Sequence, residues 1–341
     1  MTGESPWDQI PAEEKERCLG GIRPERALHN ILQRRAERAR GEPSATGRKT
    51  AFIMQGGGMR GVFSAGAIIA LEALGFTEGF DAVYGTSAGA INGAYFLAGQ
   101  SAFGTSIYYQ DIANRRFIRL SRWRKIVDMD FLFDEIIAGK KRLVLERIRQ
   151  NRTPLYIVAT DVETARETLF CSHDEELDLL AALKASSAMP ILYHRPVNVN
   201  GRRYLDGGIV DAIPIERAIA DGCTDLLVVF TVPKIHRAHP PGWLERWLAR
   251  RLLRPLNPAL EAAFCHRHEA GQRALDLALG RVHPDATVNI VAVFPDPTSP
   301  LHRLTTTADI LWKAARECCH RVWRLFAGAE AIPPEPLPWM S

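Results

Sequence analysis

The chain has no apolar run long enough to cross a bilayer, and Met1 to Gly21 is polar and charged, without a signal-peptide core. A membrane-spanning or exported protein is therefore not the expectation. Cysteine is sparse and unpatterned. Cys18, Cys171, Cys223, Cys265, Cys318 and Cys319 form neither a disulfide framework nor paired zinc knuckles. Reduced thiols in a cytoplasmic protein are the expectation, with any membrane contact peripheral, at the inner surface. Charge of one sign is also scarce. A net charge of +4 over 341 residues is too mild to argue for nucleic acid, and base-stacking signatures are missing. Internal repeats are absent. What is present is the apolar and charged content of an ordinary globular chain, long enough for one large domain or two modest ones.

Three segments differ in character. Residues 1–49 read as an N-terminal extension that docks partially, with a helix over Leu28 to Arg40 and a Gly/Pro/Ser/Thr linker over Gly41 to Lys49. Residues 50–232 alternate between β-rich apolar runs and helical patterns. Strands are expected at 51–54, 82–84, 155–160, 203–205 and 226–232, with a later one at 288–294. Helices are expected at 66–74, 88–98, 141–149 and 213–220. Such alternation predicts an α/β sheet with helices on both faces. Residues 233–341 form a helical and strand region that completes the core or packs on it. Within it, Trp243 to Leu253 has amphipathic spacing.

The most informative segment is Gly85-Thr86-Ser87-Ala88-Gly89, directly after the apolar run ending at Tyr84. Strand, tight turn and helix with serine at the turn is the form of a nucleophile elbow. Upstream, Gly56-Gly57-Gly58-Met59-Arg60-Gly61 follows another strand. It fits a dinucleotide fingerprint in form, but Asp81 begins the next strand rather than ending it, and the P-loop Lys-Ser/Thr is missing. Its other use is an oxyanion hole, with bare amides of Gly57 and Gly58 converging near a helix N-terminus and Arg60 adding positive field. Downstream, Tyr204-Leu205-Asp206-Gly207-Gly208 reads as a strand end followed by a bend that bares a carboxylate. A serine needs a proton acceptor. Asp206 is one candidate; by chain order His236, His239, His266, His268, His283, His302 and His320 also qualify.

Taken together, these blocks resemble the patatin-like phospholipases, serine acyl hydrolases with a Ser-Asp dyad. The family pattern of glycine-rich block, G-x-S-x-G and D-G-A/G stands here as Gly56 to Gly61, Gly85 to Gly89, and Asp206 to Gly208. The segments Phe131 to Glu135 and Ala159 to Thr164 are similar to a bacterial branch. The block Lys184 to Pro190 is family-like too, and is expected to shape the aspartate's loop. The resemblance covers roughly residues 50 to 325 and leaves 1–49 unexplained. It implies a three-layer α/β/α fold with a mostly parallel central sheet. It also implies Ser87 as nucleophile, Asp206 as proton acceptor, and Gly56, Gly57, Gly58 and Arg60 as the oxyanion loop. The substrate would be a lipid or acyl ester, and no cofactor or metal would be required. The competing class is a non-catalytic protein whose glycine loop holds a nucleotide or an anionic head group.

Two further features remain. Trp243, Leu244, Trp247, Leu248, Leu252 and Leu253 recur at helical spacing among Arg246, Arg250, Arg251 and Arg254. Such a helix either packs its apolar face on the core, the favoured expectation, or lies at an anionic lipid surface. A second basic-aromatic stretch, Arg115 to Lys125, is either a charged helix-to-loop surface, the favoured expectation, or an addition to a lipid-facing surface. Cys265-His266-Arg267-His268 and Cys318-Cys319-His320 contain metal-binding side chains, but at no structural-zinc spacing, and are expected to be ordinary helix residues.

Overall fold

Side-chain alternation along the central strands decides the architecture of the protein, described here from a computed structural model over residues 6–122, 125–193, 195–282, 284, 286–328 and 331. The strands are β1 (Leu19–Ile22), β2 (Thr50–Met54), β3 (Ala82–Thr86), β4 (Leu155–Asp161), β5 (Glu167–Cys171), β6 (Val197–Val199), β7 (Arg202–Asp206), β8 (Asp225–Val229) and β9 (Asn289–Val293). In β2, Phe52 and Met54 point into one core layer, Ala51 and Ile53 into the other. Leu227 and Val229 against Leu226 and Val228 do the same in β8, and Val291 and Val293 against Ile290 and Ala292 in β9. A strand apolar on both faces needs helices on both sides.

The sheet runs β1-β9-β8-β2-β3-β4-β7-β6, with β5 also on β4. Its centre, β9-β8-β2-β3-β4, is parallel, and β1, β5, β6 and β7 pair antiparallel. One layer holds the helices Pro24–Ala39, Val62–Ala73, Ala88–Leu97 and Ala308–Ala327; the other holds Ile215–Ala220 and the end of Pro258–Ala278. The fold is a three-layer α/β/α sandwich. Among the described residues no helix is long and apolar enough to cross a membrane.

Several boundaries differ from those read off the sequence. The N-terminal segment contributes β1, which pairs with β9 from Leu19 opposite Val293 to Ile22 opposite Ile290. Its helix starts earlier, at Pro24, where proline suits the first helical turn. The helix expected over 141–149 covers only Leu145–Gln150, because Lys141 closes a preceding π-helical stretch, Phe131–Lys140. The strand expected over 226–232 ends at Val229. Beyond it Thr231 turns to bond the glycine loop: its N–H donates to Gln55 Oε1 at 2.7 Å and its hydroxyl to the Gly56 carbonyl at 2.8 Å.

Strand register brings the distant motifs together. Met54 pairs with Gly85, so the glycine loop after β2 and the elbow after β3 leave the sheet side by side. On β4, Thr86 lies opposite Val158, and Asp206 lies opposite Ala159, the next residue. Since β5 occupies one edge of β4 over residues 156–160, β3 and β7 share the other edge. Running in opposite directions, they meet end to end where β3 delivers Ser87 and β7 delivers Asp206.

Candidate active site

Ser87 adopts φ 55° and ψ −124°, a conformation that costs a side-chain-bearing residue ~1–3 kcal/mol and persists only when its surroundings enforce it. Here the enforcement is visible. Its N–H donates to Ser186 Oγ at 2.8 Å, and Ser186 in turn donates to the Val158 carbonyl at 2.6 Å. Its carbonyl accepts from Ala90 and Ile91 at 2.9 and 3.2 Å, starting the helix Ala88–Leu97. The tight packing behind the elbow requires Gly89, because a β-carbon there would sit 2.4 Å from the Met54 carbonyl oxygen. A β-carbon on Gly85 would likewise meet the Gly89 and Ala90 backbone at 2.6 Å, and one on Gly61 would meet Ala88 Cβ at 2.5 Å.

Asp206 is buried, with the Ser87 hydroxyl near enough to act on its carboxyl. The carboxylate also accepts the Gly208 N–H at 2.7 Å, and the Asp206 N–H donates to the Ala188 carbonyl at 3.1 Å. Burial pushes this carboxyl up to about 6, only partly offset by the Gly208 amide, the Ser87 hydroxyl and the field of Arg303. Gly207 fits because a β-carbon would meet the Val158 carbonyl at 2.4 Å.

The glycine loop faces the pair. Gly57 has φ 155° and Gly58 φ 58°, a combination that needs glycine, and among the described residues neither amide has an acceptor. Among the described residues the Ala88 amide, first in its helix, likewise has no acceptor. The Gly56 amide, grouped with the oxyanion loop on sequence, is instead bonded to the Ala212 carbonyl at 3.2 Å and is not free to donate. Arg60 folds back over Gly57. Its Nε is buried without a hydrogen-bond partner, and no carboxylate pairs with it among the described residues. Burial, together with nearby Arg303, lowers its guanidinium to about 9.

These groups open into a cavity of ≈ 270 Å³. One wall is apolar, with Ile107, Ile112, Phe117, Met129, Leu132 and Leu192. Part of it comes from the π-helical stretches Ile107–Asp111 and Phe131–Lys140, a geometry frequent at functional sites. The lining also carries Arg60, Arg303, Arg267, His236, His239 and His268. Of the candidate histidines, His236, His239 and His268 line the cavity but none bonds Ser87 or Asp206. His266 pairs with Glu269 at 2.8 Å, His302 lies on an exposed loop, His320 lies on the helix Ala308–Ala327, and His283 falls outside the described residues. His268 Nδ1 bonds the Cys265 carbonyl and Cys318 and Cys319 are buried. Among the described residues no His/Cys/Asp/Glu group is arranged to hold a metal.

Sequence reasoning missed two residues. Ser186 sits inside the Lys184 to Pro190 block, but nothing local marks its hydroxyl as the support of the elbow amide. Arg303 had no signal. Its carbonyl accepts the Met59 N–H at 3.1 Å, so a loop far along the chain closes onto the glycine loop.

An α/β/α sheet that presents a strained serine, a buried aspartate and bare glycine amides together defines a patatin-type acyl-hydrolase scaffold. The chain belongs to the patatin-like phospholipase family, whose profile matches residues 52–219. It is 30% identical over 271 residues to the uncharacterized protein YjjU of Escherichia coli (strain K12), covering 77% of this chain and 72% of that one. It is also 25% identical over 210 residues to lysophospholipase NTE1 of Cryptococcus neoformans var. neoformans serotype D. That match spans 58% of this chain but only 12% of the fungal protein. Among solved structures, VipD from Legionella pneumophila superposes with a TM-score of 0.43 and 13% identity, over 81% of this chain and 66% of that one. The family is one of lipid acyl hydrolases.

Proposed function

We propose that the protein hydrolyses carboxylic esters of phospholipids or lysophospholipids through a Ser87–Asp206 dyad. The observation that carries this reading is the Ser87 hydroxyl, presented by a strained turn within reach of a buried carboxylate and beside unsatisfied glycine amides. Asp206 accepts the hydroxyl proton as Ser87 Oγ attacks the ester carbonyl carbon. The Gly57 and Gly58 amides, joined by that of Ala88, hold the oxyanion. The C–O bond to the leaving alcohol breaks, and the alcohol takes the proton back from Asp206. Water, deprotonated by the same carboxylate, then cleaves the acyl-enzyme and frees Ser87. The apolar wall suits an acyl chain. The unpaired guanidinium of Arg60, with Arg303 beside it, favours an ester carrying an anionic group near the scissile bond over a neutral one. The lysophospholipase name of the fungal relative agrees with that preference.

Two measurements test the reading. A fluorophosphonate probe labels the wild type and fails to label Ser87→Ala. Hydrolysis of p-nitrophenyl acyl esters falls ~10³-fold or more in that variant while its circular dichroism is unchanged. Wild-type turnover in Ser87→Ala would refute the nucleophile assignment. Full activity in Asp206→Asn would instead transfer the base role to one of the cavity histidines.

A further inference from the structure

The helix Trp243–Leu252 does not bury the face that its sequence makes most apolar. Only Ala249 within it is fully buried, joined by Leu253 just beyond, and these two pack on Leu260 and Phe264 of the helix Pro258–Ala278. Trp243 is 76% exposed, Trp247 55% and Leu244 51%. These are large side chains for open water, and they sit together on one short helix. Glu245 ties the helix to the cavity by pairing at 3.1 Å with Arg267, one of its lining residues. Ile235, 73% exposed, directly precedes the cavity-lining His236.

The charge on this helix is one-sided. Arg246, Arg250 and Arg251 are exposed and, among the described residues, have no carboxylate partner. Glu245 is the helix's one acidic residue and is taken up by Arg267. The stretch Arg115 to Lys125 behaves differently. Arg116 pairs with Glu135, Arg122 and Lys125 with Asp128, and Lys125 also with Asp130, so three of its described cations are paired at home while Arg115 and Arg119 are not; Trp123 and Arg124 fall outside the described residues. The two basic-aromatic segments that look alike in sequence therefore differ in how much of their charge is paired.

We propose that the exposed Trp243/Leu244/Trp247 face of this helix, with Arg246, Arg250 and Arg251, docks the protein onto an anionic lipid surface and sets the cavity mouth against it. Tryptophan and leucine enter the acyl–headgroup boundary while arginine heads meet lipid phosphates. A second copy of the chain is a poorer occupant. A two-fold contact would set these uncompensated arginines against their own copies. Docking does not use Ser87, so it stands or falls apart from the proposed hydrolysis.

The test uses the full chain carrying Ser87→Ala, so that vesicles stay intact. Vesicles of phosphatidylcholine alone are compared with vesicles of phosphatidylcholine mixed with phosphatidylglycerol, by flotation and tryptophan emission. The mixed vesicles should retain the protein and shift its emission to the blue, and added salt should weaken retention. Trp243→Ser/Trp247→Ser should lose at least about tenfold in partitioning. Arg246→Glu/Arg250→Glu/Arg251→Glu should lose roughly fivefold or more per site. All five side chains are exposed, so thermal unfolding should be unchanged. In the Ser87 background, each set should reduce hydrolysis of vesicle lipid while sparing a monomeric water-soluble ester. Equal retention of the tryptophan variant and its parent, absence of wild-type retention on anionic vesicles, or a concentration-dependent dimer abolished by the tryptophan changes would each overturn the proposal.

Discussion

Ser87 and Asp206 are held in states that neither would adopt alone, and both departures have measurable consequences. Asp206 accepts a proton only when ionised. With its carboxyl near 6, kcat/KM for a soluble ester should rise with pH through about 6 and then level off. A profile already flat from pH 4 upward would contradict its role as base. Its raised value also has a stability sign. The folded protein holds this proton more tightly than the unfolded chain, whose carboxyl titrates near 3.8, so the group's contribution is greatest at low pH and is lost as pH rises through 6. Asp206→Asn should therefore stabilise the fold at pH 8 by up to about 3 kcal/mol, seen as a higher melting temperature, while abolishing turnover. Ser186→Ala removes the acceptor of the Ser87 amide. It should cost about 1 kcal/mol of stability and lower kcat more than it changes KM, since the elbow would relax without losing the cavity. The proposed nucleophile and base, Ser87 and Asp206, stood out in the sequence because each is fenced by glycines that the turn geometry requires. Ser186 and Arg303 were not, because a partner contributed through space from an ordinary segment leaves no local pattern.

Among elements, legibility followed how completely each one is buried. The central strands, apolar on both faces, stood out as continuous runs. β1, β5 and β6 did not: Leu19-Gly20-Gly21-Ile22 carries glycines where a strand normally carries bulk, and β5 is only half-buried along its length. The helices Pro258–Ala278 and Ala308–Ala327 were read only locally, around Cys265–His268 and Cys318–His320, and their full extent was not. Yet Ala308–Ala327 makes one of the closest approaches in the fold. At Gly66, in the helix Val62–Ala73, an added β-carbon would fall 2.0 Å from the Ala315 carbonyl oxygen. Backbone cannot yield as a flexible side chain can. Gly66→Ala should force the two helices apart and destabilise the protein by about 3 kcal/mol in urea unfolding, with activity falling in step because the glycine loop leads directly into that helix. A variant as stable as wild type would mean the crossing can slide at little cost.

At the scale of the whole molecule, one sheet draws strands from residues 1–49, 50–232 and 233–341 alike. Arg321, nearly buried in the helix Ala308–Ala327, pairs with Glu14 at 3.1 Å and Glu317 at 2.9 Å and donates to the Phe294 carbonyl at 2.8 Å. Arg34, on the helix Pro24–Ala39, pairs with Asp81 at 2.8 Å, and Asp81 accepts the Thr50 N–H at 2.9 Å. Losing one member of such a pair leaves a charge that water cannot reach. Glu14→Gln should cost about 2 kcal/mol in thermal or denaturant unfolding, and an unchanged midpoint would place residues 11–18 outside the cooperative unit. The bond from Met59 to the Arg303 carbonyl has a consequence in time as well as in space. During synthesis the elbow and the glycine loop leave the ribosome long before residue 303 exists. The nascent chain therefore carries its serine without the clasp that braces the loop beside it. The loop beside the serine is therefore braced only once residue 303 has been made and has folded back onto Met59.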